Sequence, residues 1–362
     1  MAAVQLTAHG GTETLCYRED VPVPLPGPGE VLIRVSAAGI NNTDINTRIG
    51  WYAADSNAGT AEANESGPAA PETATPEKGD WSGMGLSFPR IQGADACGEI
   101  VATGHGVGED RLGERVIVQS CLRSLASGNF TPWLGSERDG AFAQFVCAPA
   151  ADTYSVRCDL SDAELAAIPC AFATAENLIN RAKVAAGEQV LVTGASGNVG
   201  IAAVQLARRR GADVTAIAAE AKFPAIRAIG ARRCVGRDAA LVTALGAASM
   251  DVVIDVVGGP QWPALLEVLK IKGRYAVSGA IGGPIVQMDL RPLYLKDLTL
   301  YGCTSQDQEV FPNLVSYIER GEIRPLVSRT YALRDIAAAQ EEFLSKTQIG
   351  KIVLIPPPLR VS

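Results

Sequence analysis

The chain has 362 residues, of which 47% are hydrophobic and 20% are charged. This length is typical of two domains, and the composition of a globular protein disfavours disorder, collagen and coiled coil. The formal net charge of −7 disfavours a nucleic-acid partner, although a local basic pocket for a phosphate remains compatible with it. No uninterrupted apolar run reaches the length of about 18 residues that a membrane span needs, so we expect no membrane partner.

Histidine is scarce, with only His9 and His105, and the eight cysteines form no C-x-x-C pair. A multi-histidine metal site is therefore excluded, and we expect no metal. Scattered cysteines in a long chain, without a basic and then apolar segment at its start, predict a cytoplasmic protein with reduced thiols.

The first part of the chain has the pattern of β-strands. Residues 30–40 alternate apolar and polar side chains after a Pro/Gly-rich turn, and short β-like runs return between 91 and 146, which indicates a barrel-like β-rich domain. Between them, residues 53–86 are rich in Ala, Gly, Pro, Glu, Ser and Thr. That composition favours a long loop or partly disordered insert, and a lid over the site is the alternative.

Strand–helix alternation begins after Ser161, which can cap a helix. Apolar strands such as "QVLVTGA", "DVTAIAA" and "DVVIDVV" are interleaved with helices, one of them predicted over "PALLEVLKIKG", and a last strand covers 298–304. This order predicts a doubly wound parallel sheet covered on both faces, an α/β fold. Two helices and the strand "GKIVLIP" then return to the β-rich domain. We expect that domain at 1–154 and 305–362, and the parallel-sheet domain at 155–304.

The most specific chemical motif is "VLVTGASGNVG", residues 190–200. Glycines three apart between a buried strand and a helix permit a tight turn and bring backbone N–H groups close to a pyrophosphate. A purely structural turn is the alternative. The residues predicted to bind a dinucleotide here are Gly194, Ser196, Gly197, Asn198, Val199 and Gly200.

The end of the next strand favours NADPH over NADH. An NAD site places a carboxylate there, whereas this chain has small residues, including Ala218, and Glu220 follows slightly too late. Lys222 and Arg237 could neutralise the 2′-phosphate of NADPH. The alternative is that Lys222 is an ordinary solvated lysine at a helix start.

These motifs follow one another in a family's order. The stretch "AAGINNTDINTRIGWY" (37–52), then "PRIQGADACGEIVATG", "GERV", "DGAFAQF" and the glycine loop resemble the medium-chain dehydrogenase/reductase superfamily, in particular its zinc-independent quinone oxidoreductase-like branch. Zinc-dependent relatives carry a cysteine and a histidine motif where this chain has Asn41–Asn42 and "GADACGE". The resemblance implies a GroES-like catalytic domain, a Rossmann domain and a homodimer, which we expect to form through the strand near 298–303.

The resemblance also implies site residues. Asn41 and Tyr52 would be catalytic, Asn41 beside the nicotinamide and the substrate carbonyl and Tyr52 as a donor at the pocket. Asp44, Arg48 and Thr174 would line the substrate and nicotinamide region. Gly279 and Ala280 would contact the cofactor.

Structural roles are the alternatives for these residues. Asn41 and Asp44 could pin a turn, Arg48 could pair with Asp44, and Tyr52 could be a packing residue.

The implied activity is hydride transfer from NADPH to a quinone or an α,β-unsaturated carbonyl compound. Without a Lewis acid, alcohol oxidation loses the group that stabilises an alkoxide, whereas a conjugated acceptor delocalises its charge where hydrogen-bond donors can stabilise it. Two alternatives remain open: an enoyl-thioester (acyl-CoA) reductase, and a non-catalytic NADPH-binding sensor or structural protein.

Overall fold

The computed structural model describes residues 1–52, 86–128 and 130–359. Apart from Leu86, the expected insert lies outside the described residues, and with it the lid alternative. The chain divides into two units, the second of which is Ala171–Val310, while the first contains the described residues on either side of it. The first boundary lies beyond the expected 154 because the helix that follows Ser161 packs against strands of the first unit, and the second lies after Val310 rather than after 304.

The described residues of the first unit begin with eight strands and two short helices. In chain order they are β1 (Ala3–Leu6), β2 (Leu15–Arg18), β3 (Glu30–Gly39), α1 (Asn42–Arg48), β4 (Arg90–Ile91), β5 (Cys97–Thr103), β6 (Arg115–Val118), β7 (Phe145–Pro149), β8 (Thr153–Ser155) and α2 (Asp162–Leu165).

The second unit alternates helices and strands. Its elements are α3 (Pro169–Arg181, from Ala171 onward), β9 (Gln189–Val192), α4 (Asn198–Arg209), β10 (Asp213–Ala218), α5 (Phe223–Ala228), β11 (Arg233–Gly236), α6 (Leu241–Leu245), β12 (Met250–Asp255), α7 (Trp262–Val268), β13 (Leu269–Val277), α8 (Leu290–Leu295) and β14 (Thr299–Gly302). The chain then returns to the first unit with α9 (Val310–Glu319, from Phe311 onward), β15 (Val327–Ala332), α10 (Ile336–Ser345) and β16 (Lys351–Ile355).

The sheets of the first unit are largely antiparallel. A small sheet has the order β2-β1-β4, and a larger one has the order β15-β16-β3-β5-β6-β8, with β7 paired to β3. The closing strand β16 lies antiparallel to β3, with Val353 opposite Gly39. This pairing brings the last described strand of the chain beside the segment that leads into α1.

The sheet of the second unit has the order β11-β10-β9-β12-β13-β14, and all its pairs are parallel. This arrangement confirms the predicted doubly wound sheet. The strand order reverses beside β9, and in such sheets ligands bind outside the carboxyl ends of the strands at the reversal.

The helix predicted over "PALLEVLKIKG" is wrong beyond Val268. Strand β13 begins at Leu269, which pairs with Met250 of β12, and Lys272 has a φ of +62°. Pairing with a neighbouring strand overrides the local helical pattern, because Leu269 and Tyr275 are buried against β12 and the helices. Across the described ranges, no helix is long and apolar enough to cross a membrane.

Helix α1 starts on a buried carboxylate. Asp44 Oδ2 accepts from the backbone N–H of Asn41 at 2.7 Å and Oδ1 from that of Gly93 at 3.2 Å. The first bond satisfies an N–H at the start of the helix, as a capping residue does. Burial raises the pKa of Asp44 to about 7 and nearby Asp95 adds to the rise, while the two N–H groups and Lys351 oppose it.

We therefore predict that Asp44 makes stability fall as pH rises. The folded state holds the Asp44 proton more tightly than the unfolded chain, so ionisation costs stability between the ordinary pKa of 3.8 and about 7. Relative to Asp44→Asn, the free energy of unfolding of the wild type should fall by at most about 4 kcal/mol over that interval and stay level above it. Urea unfolding of both proteins at pH 4.5, 6 and 8 measures this, and a difference independent of pH would contradict it.

Candidate functional site

The glycine loop of the second unit connects β9 to α4. Gly194 has a φ of +56°, and a Cβ there would lie 2.9 Å from Val257 Cγ2. A Cβ at Gly200 would lie 2.2 Å from the carbonyl oxygen of Gly194. These two positions need glycine because the loop closes on itself and on the segment after β12.

Gly197 has a different environment. The nearest atom to a Cβ placed there is the Gly194 oxygen at 3.4 Å, an ordinary contact, so internal packing does not require this glycine. The residue is exposed and is the N-cap residue of α4, and as a glycine it has no side chain to cap the helix. Exposed backbone at a helix N-terminus is suited to an anion. Together with half-buried Ser196, Asn198 and Val199, it fits the pyrophosphate of a dinucleotide.

Two basic residues lie beyond the next two strands. Ala218, at the end of β10, is buried and pairs with Gly236 of β11. Lys222 follows Ala218 on a short 3-10 turn, and Arg237 follows Gly236. Burial lowers the pKa of Lys222, and the positive charge of Arg237 lowers it further. Two cations close enough to repel each other are an arrangement that a phosphate would relieve.

The other sequence-predicted residues of this unit lie on different elements. Gly279 follows β13 in close contact with the loop after β12, because a Cβ there would lie 2.8 Å from the Val256 oxygen. Ala280 beside it is half-buried. Thr174 lies on α3 and is half-buried, whereas every other residue from 171 to 179 is buried.

In the first unit, Asn41 belongs to a buried cluster with Asp95 and Lys351. Asn41 Nδ2 donates to Asp95 Oδ2 at 2.9 Å, and Lys351 Nζ donates to Asn41 Oδ1. Lys351 Nζ also lies 2.6 Å from Asp95 Oδ2, and the backbone N–H of Cys170 donates to Asp95 Oδ1 at 2.6 Å. Both ends of the Asn41 amide are thus engaged by the protein.

The cluster leaves room only for glycine at position 39. A Cβ there would lie 2.5 Å from Lys351 Cε and 2.6 Å from Asp95 Oδ2. The ammonium of Lys351 already neutralises the Asp95 carboxylate. Within the parts of the chain that the structure describes, no three His, Cys, Asp or Glu side chains are grouped to hold a metal ion. These donors do not fit a zinc ion.

Tyr52 lies one turn beyond α1 and is half-buried. Burial raises the pKa of its phenol to about 12, and hydrogen bonds with Asn46 and Thr43 act in the opposite direction. The phenol therefore stays protonated over the physiological range and can donate a hydrogen bond. Sequence reasoning missed Thr43; its place at the second position of a capped helix was the available signal.

Arg48 makes its hydrogen bonds with residues outside the cluster of Asn41, Asp95 and Lys351. Its Nε donates to Gln340 Oε1 at 2.9 Å, and its Nη1 donates to the carbonyl oxygen of Gly10 at 2.6 Å. The side chain is 2% exposed and ties α1 to α10 and to the N-terminal segment. None of these bonds goes to Asp44, so the geometry favours a structural role for Arg48 over the predicted role at the substrate.

The structure thus places Asn41 and Asp44 at the start of α1, and the phenol of Tyr52, which follows the helix, hydrogen-bonds with Thr43 in its first turn and with Asn46. In the second unit it brings the six residues of the glycine loop together and Lys222 close to Arg237. Sequence reasoning also missed Asp95 and Lys351. No local signal marks Lys351, which lies 310 positions from Asn41.

The chain matches two known domain families. Residues 27–157 match the alcohol dehydrogenase GroES-like domain, and residues 198–320 match the family described as zinc-binding dehydrogenase. A crystal structure from Sinorhizobium meliloti 1021, provisionally assigned as an alcohol dehydrogenase, is 43% identical with a TM-score of 0.87, over 99% of this chain and 97% of that one.

Two enzymes of named activity are similar at lower identity. The quinone oxidoreductase of Rattus norvegicus is 28% identical over 98% of both chains. The acryloyl-coenzyme A reductase of Metallosphaera sedula is 28% identical over 92% of this chain and 95% of that one. These likenesses cover both units and the order of the motifs, and the chain therefore belongs to the medium-chain dehydrogenase/reductase superfamily of oxidoreductases, whose members bind a nicotinamide cofactor.

Proposed function

We propose that the protein is a zinc-independent, NADPH-dependent reductase that transfers hydride to a quinone or an α,β-unsaturated carbonyl compound. The observation that carries this proposal is the buried Lys351 ammonium, which neutralises the charge of Asp95. Without this lysine, the site would offer the Asp95 carboxylate to a metal. A conjugated acceptor suits such a site, because its developing charge can be stabilised by hydrogen bonds alone.

NADPH would supply the hydride. Gly197 and the N-terminus of α4 would bind its pyrophosphate, and Lys222 with Arg237 would bind the 2′-phosphate. The phenol of Tyr52, held by Thr43 and Asn46, would donate a hydrogen bond to the oxygen of the reduced acceptor. The engaged amide of Asn41 favours a positioning role at the start of α1, and its predicted contact with the substrate carbonyl remains a prediction.

The similar proteins support two related activities. Likeness to a quinone oxidoreductase supports the quinone acceptor, while likeness to an acryloyl-coenzyme A reductase favours the enoyl-thioester alternative. The eight cysteines all lie within the described residues and none forms a disulfide, which supports our placing the activity in the cytoplasm.

The activity predicts that purified protein oxidises NADPH in the presence of a quinone or a simple enone, with full rate after treatment with a metal chelator. Stopped-flow absorbance with 1,4-benzoquinone, an alkyl enone and acryloyl-coenzyme A measures it. Faster turnover of the thioester would establish the acyl-CoA alternative. Tight NADPH binding with no turnover of any of the three acceptors would establish the sensor alternative. Loss of activity after chelator treatment would overturn zinc independence.

Tyr52→Phe serves as the matched variant in this assay. Loss of one donor to a developing anion should lower kcat with the enone about tenfold or more while the KM for NADPH stays unchanged. An unchanged kcat would make Tyr52 a packing residue and leave the rest of the proposal standing.

The cofactor assignment predicts unequal losses at the basic pair. Lys222→Ala and Arg237→Ala should each raise the KM for NADPH about tenfold and that for NADH by less than about twofold, because only NADPH carries the 2′-phosphate. Arg232→Ala is the control, since that arginine is exposed and paired with Asp213 in the same unit. Equal losses for the two cofactors would remove the argument for NADPH.

We also propose a homodimer formed through the edge strand β14 and the segment before it. Ile285, Leu290, Tyr294 and Leu295 are 70%, 62%, 62% and 66% exposed. Large apolar side chains next to an edge strand are typical of an interface.

This interface predicts a dimer in sedimentation experiments at micromolar concentration. A charge at Leu290 or Leu295 would be buried without a partner, so Leu290→Glu and Leu295→Glu should shift the protein to monomer. Leu25→Glu, at an 87% exposed leucine of the first unit, is the control. A monomeric wild type would refute the dimer.

A further inference from the structure

A second buried carboxylate lies at the end of β12 in the second unit. Asp255 is 0% exposed and accepts from Thr193 Oγ1 at 2.5 Å and from the backbone N–H groups of Val257 and Gly258 at 2.9 and 3.1 Å. Its other oxygen accepts from Tyr275 OH at 2.5 Å. None of these donors is a cation, so within the described residues these hydrogen bonds stabilise the carboxylate.

The donors come from the ends of three adjacent strands. Thr193 follows β9 and leads into the glycine loop, and Tyr275 belongs to β13. The Thr193 hydroxyl also accepts from the backbone N–H of Val256 at 3.0 Å, so one side chain bonds both the carboxylate and the loop after β12. The ring of Trp262 packs edge-on against Tyr275, with centroids 6.2 Å apart. Asp255 thus fixes the loop 256–258 relative to the glycine loop.

Strand order shows which part of a dinucleotide would meet this loop. The Lys222–Arg237 pair follows β10 and β11, and the glycine loop follows β9, its neighbour in the sheet. A dinucleotide with its 2′-phosphate at the basic pair and its pyrophosphate at the glycine loop continues in the same direction. It would therefore place its nicotinamide half over the ends of β12 and β13, which are residues 256–258 and 278–280.

The segment after β13 depends on the same loop. The backbone N–H of Ser278 donates to the Asp255 carbonyl oxygen at 3.1 Å, and that of Gly282 donates to the Val257 oxygen at 2.8 Å. Any displacement of 256–258 would therefore displace the residues that follow β13, including Gly279.

We propose that Asp255 and Tyr275 are positioning residues for the nicotinamide half of the cofactor, acting through the loop 256–258. This inference rests on the proposed NADPH site. Asp255 and Tyr275 would hold the backbone of that site in place without contacting the cofactor. Burial beside the Asp255 charge raises the pKa of Tyr275, so its hydroxyl stays protonated and remains a donor throughout the working pH range.

The experiment compares a whole cofactor with its adenosine half. Tyr275→Phe and Thr193→Val each remove one hydroxyl donor to Asp255 and nearly conserve volume. Calorimetric titration with NADPH and with adenosine 2′,5′-bisphosphate should show an NADPH Kd about tenfold weaker in both variants, which is about 1.4 kcal/mol, and a bisphosphate Kd within about twofold of wild type. Thr215→Val, at a buried threonine of β10 in the same sheet, should change neither.

Two results would overturn the proposal: an NADPH Kd unchanged in both variants, or an equal loss for both ligands, which would indicate a general structural defect. The two variants act on the carboxylate from different strands, so one that fails to fold leaves the other to decide. If wild type binds the bisphosphate, and if it binds NADPH no more tightly than Tyr275→Phe and Thr193→Val do, this inference fails alone. If wild type binds neither ligand, the proposed function fails with it.

Discussion

In the first unit, an ammonium and a carboxylate withdrawn from water lie 2.6 Å apart, Lys351 Nζ to Asp95 Oδ2. Removing one member of such a pair typically costs about 3–5 kcal/mol, because the other charge is left buried without a partner. The pair therefore holds β16, which carries Lys351, beside the segment before β5, which carries Asp95. It also fixes the orientation of the Asn41 amide at the start of α1. Asp44 lies in the first turn of that helix, and Tyr52 follows the helix. The chemistry proposed for this end of α1 depends on that buried charge balance.

The second unit satisfies a buried carboxylate in another way. Asp255 has neutral donors from three strand ends, so its bonds specify directions and positions of the loops rather than balancing a charge. Directional bonds of this kind suit a site in which backbone must approach a ligand closely. The loop after β9 packs closely against the loop that Asp255 holds. Gly194 is needed there because Val257 lies against it. One carboxylate thus organises each unit, one through a cation and the other through hydroxyl and amide donors.

Local signals were sufficient where the chemistry is local. The glycine loop was predictable because its strand, turn and helix start are contiguous. Asn41 and Asp44 could be expected to pin a turn, but the helix α1 that they begin was not predicted. Prediction was wrong for the end of α7, where Leu269 joins a strand because β12 is there to pair with it. The interpretation of Arg48 shows the same limit: Gln340, which accepts from it, lies 292 positions away, and nothing near Arg48 in the sequence indicates that partner.

The sequence by itself determined the class of fold, the position of the dinucleotide loop and the scarcity of histidine that disfavours a multi-histidine metal site. These follow from periodicity, spacing and composition, which need no knowledge of distant contacts. Only the tertiary structure decided that Lys351 neutralises Asp95, that the Asn41 amide is engaged at both ends, and that Asp255 joins three strand ends. Burial removes water as a partner for charged and polar groups, so their partners must come from wherever the fold brings them, at any separation along the chain.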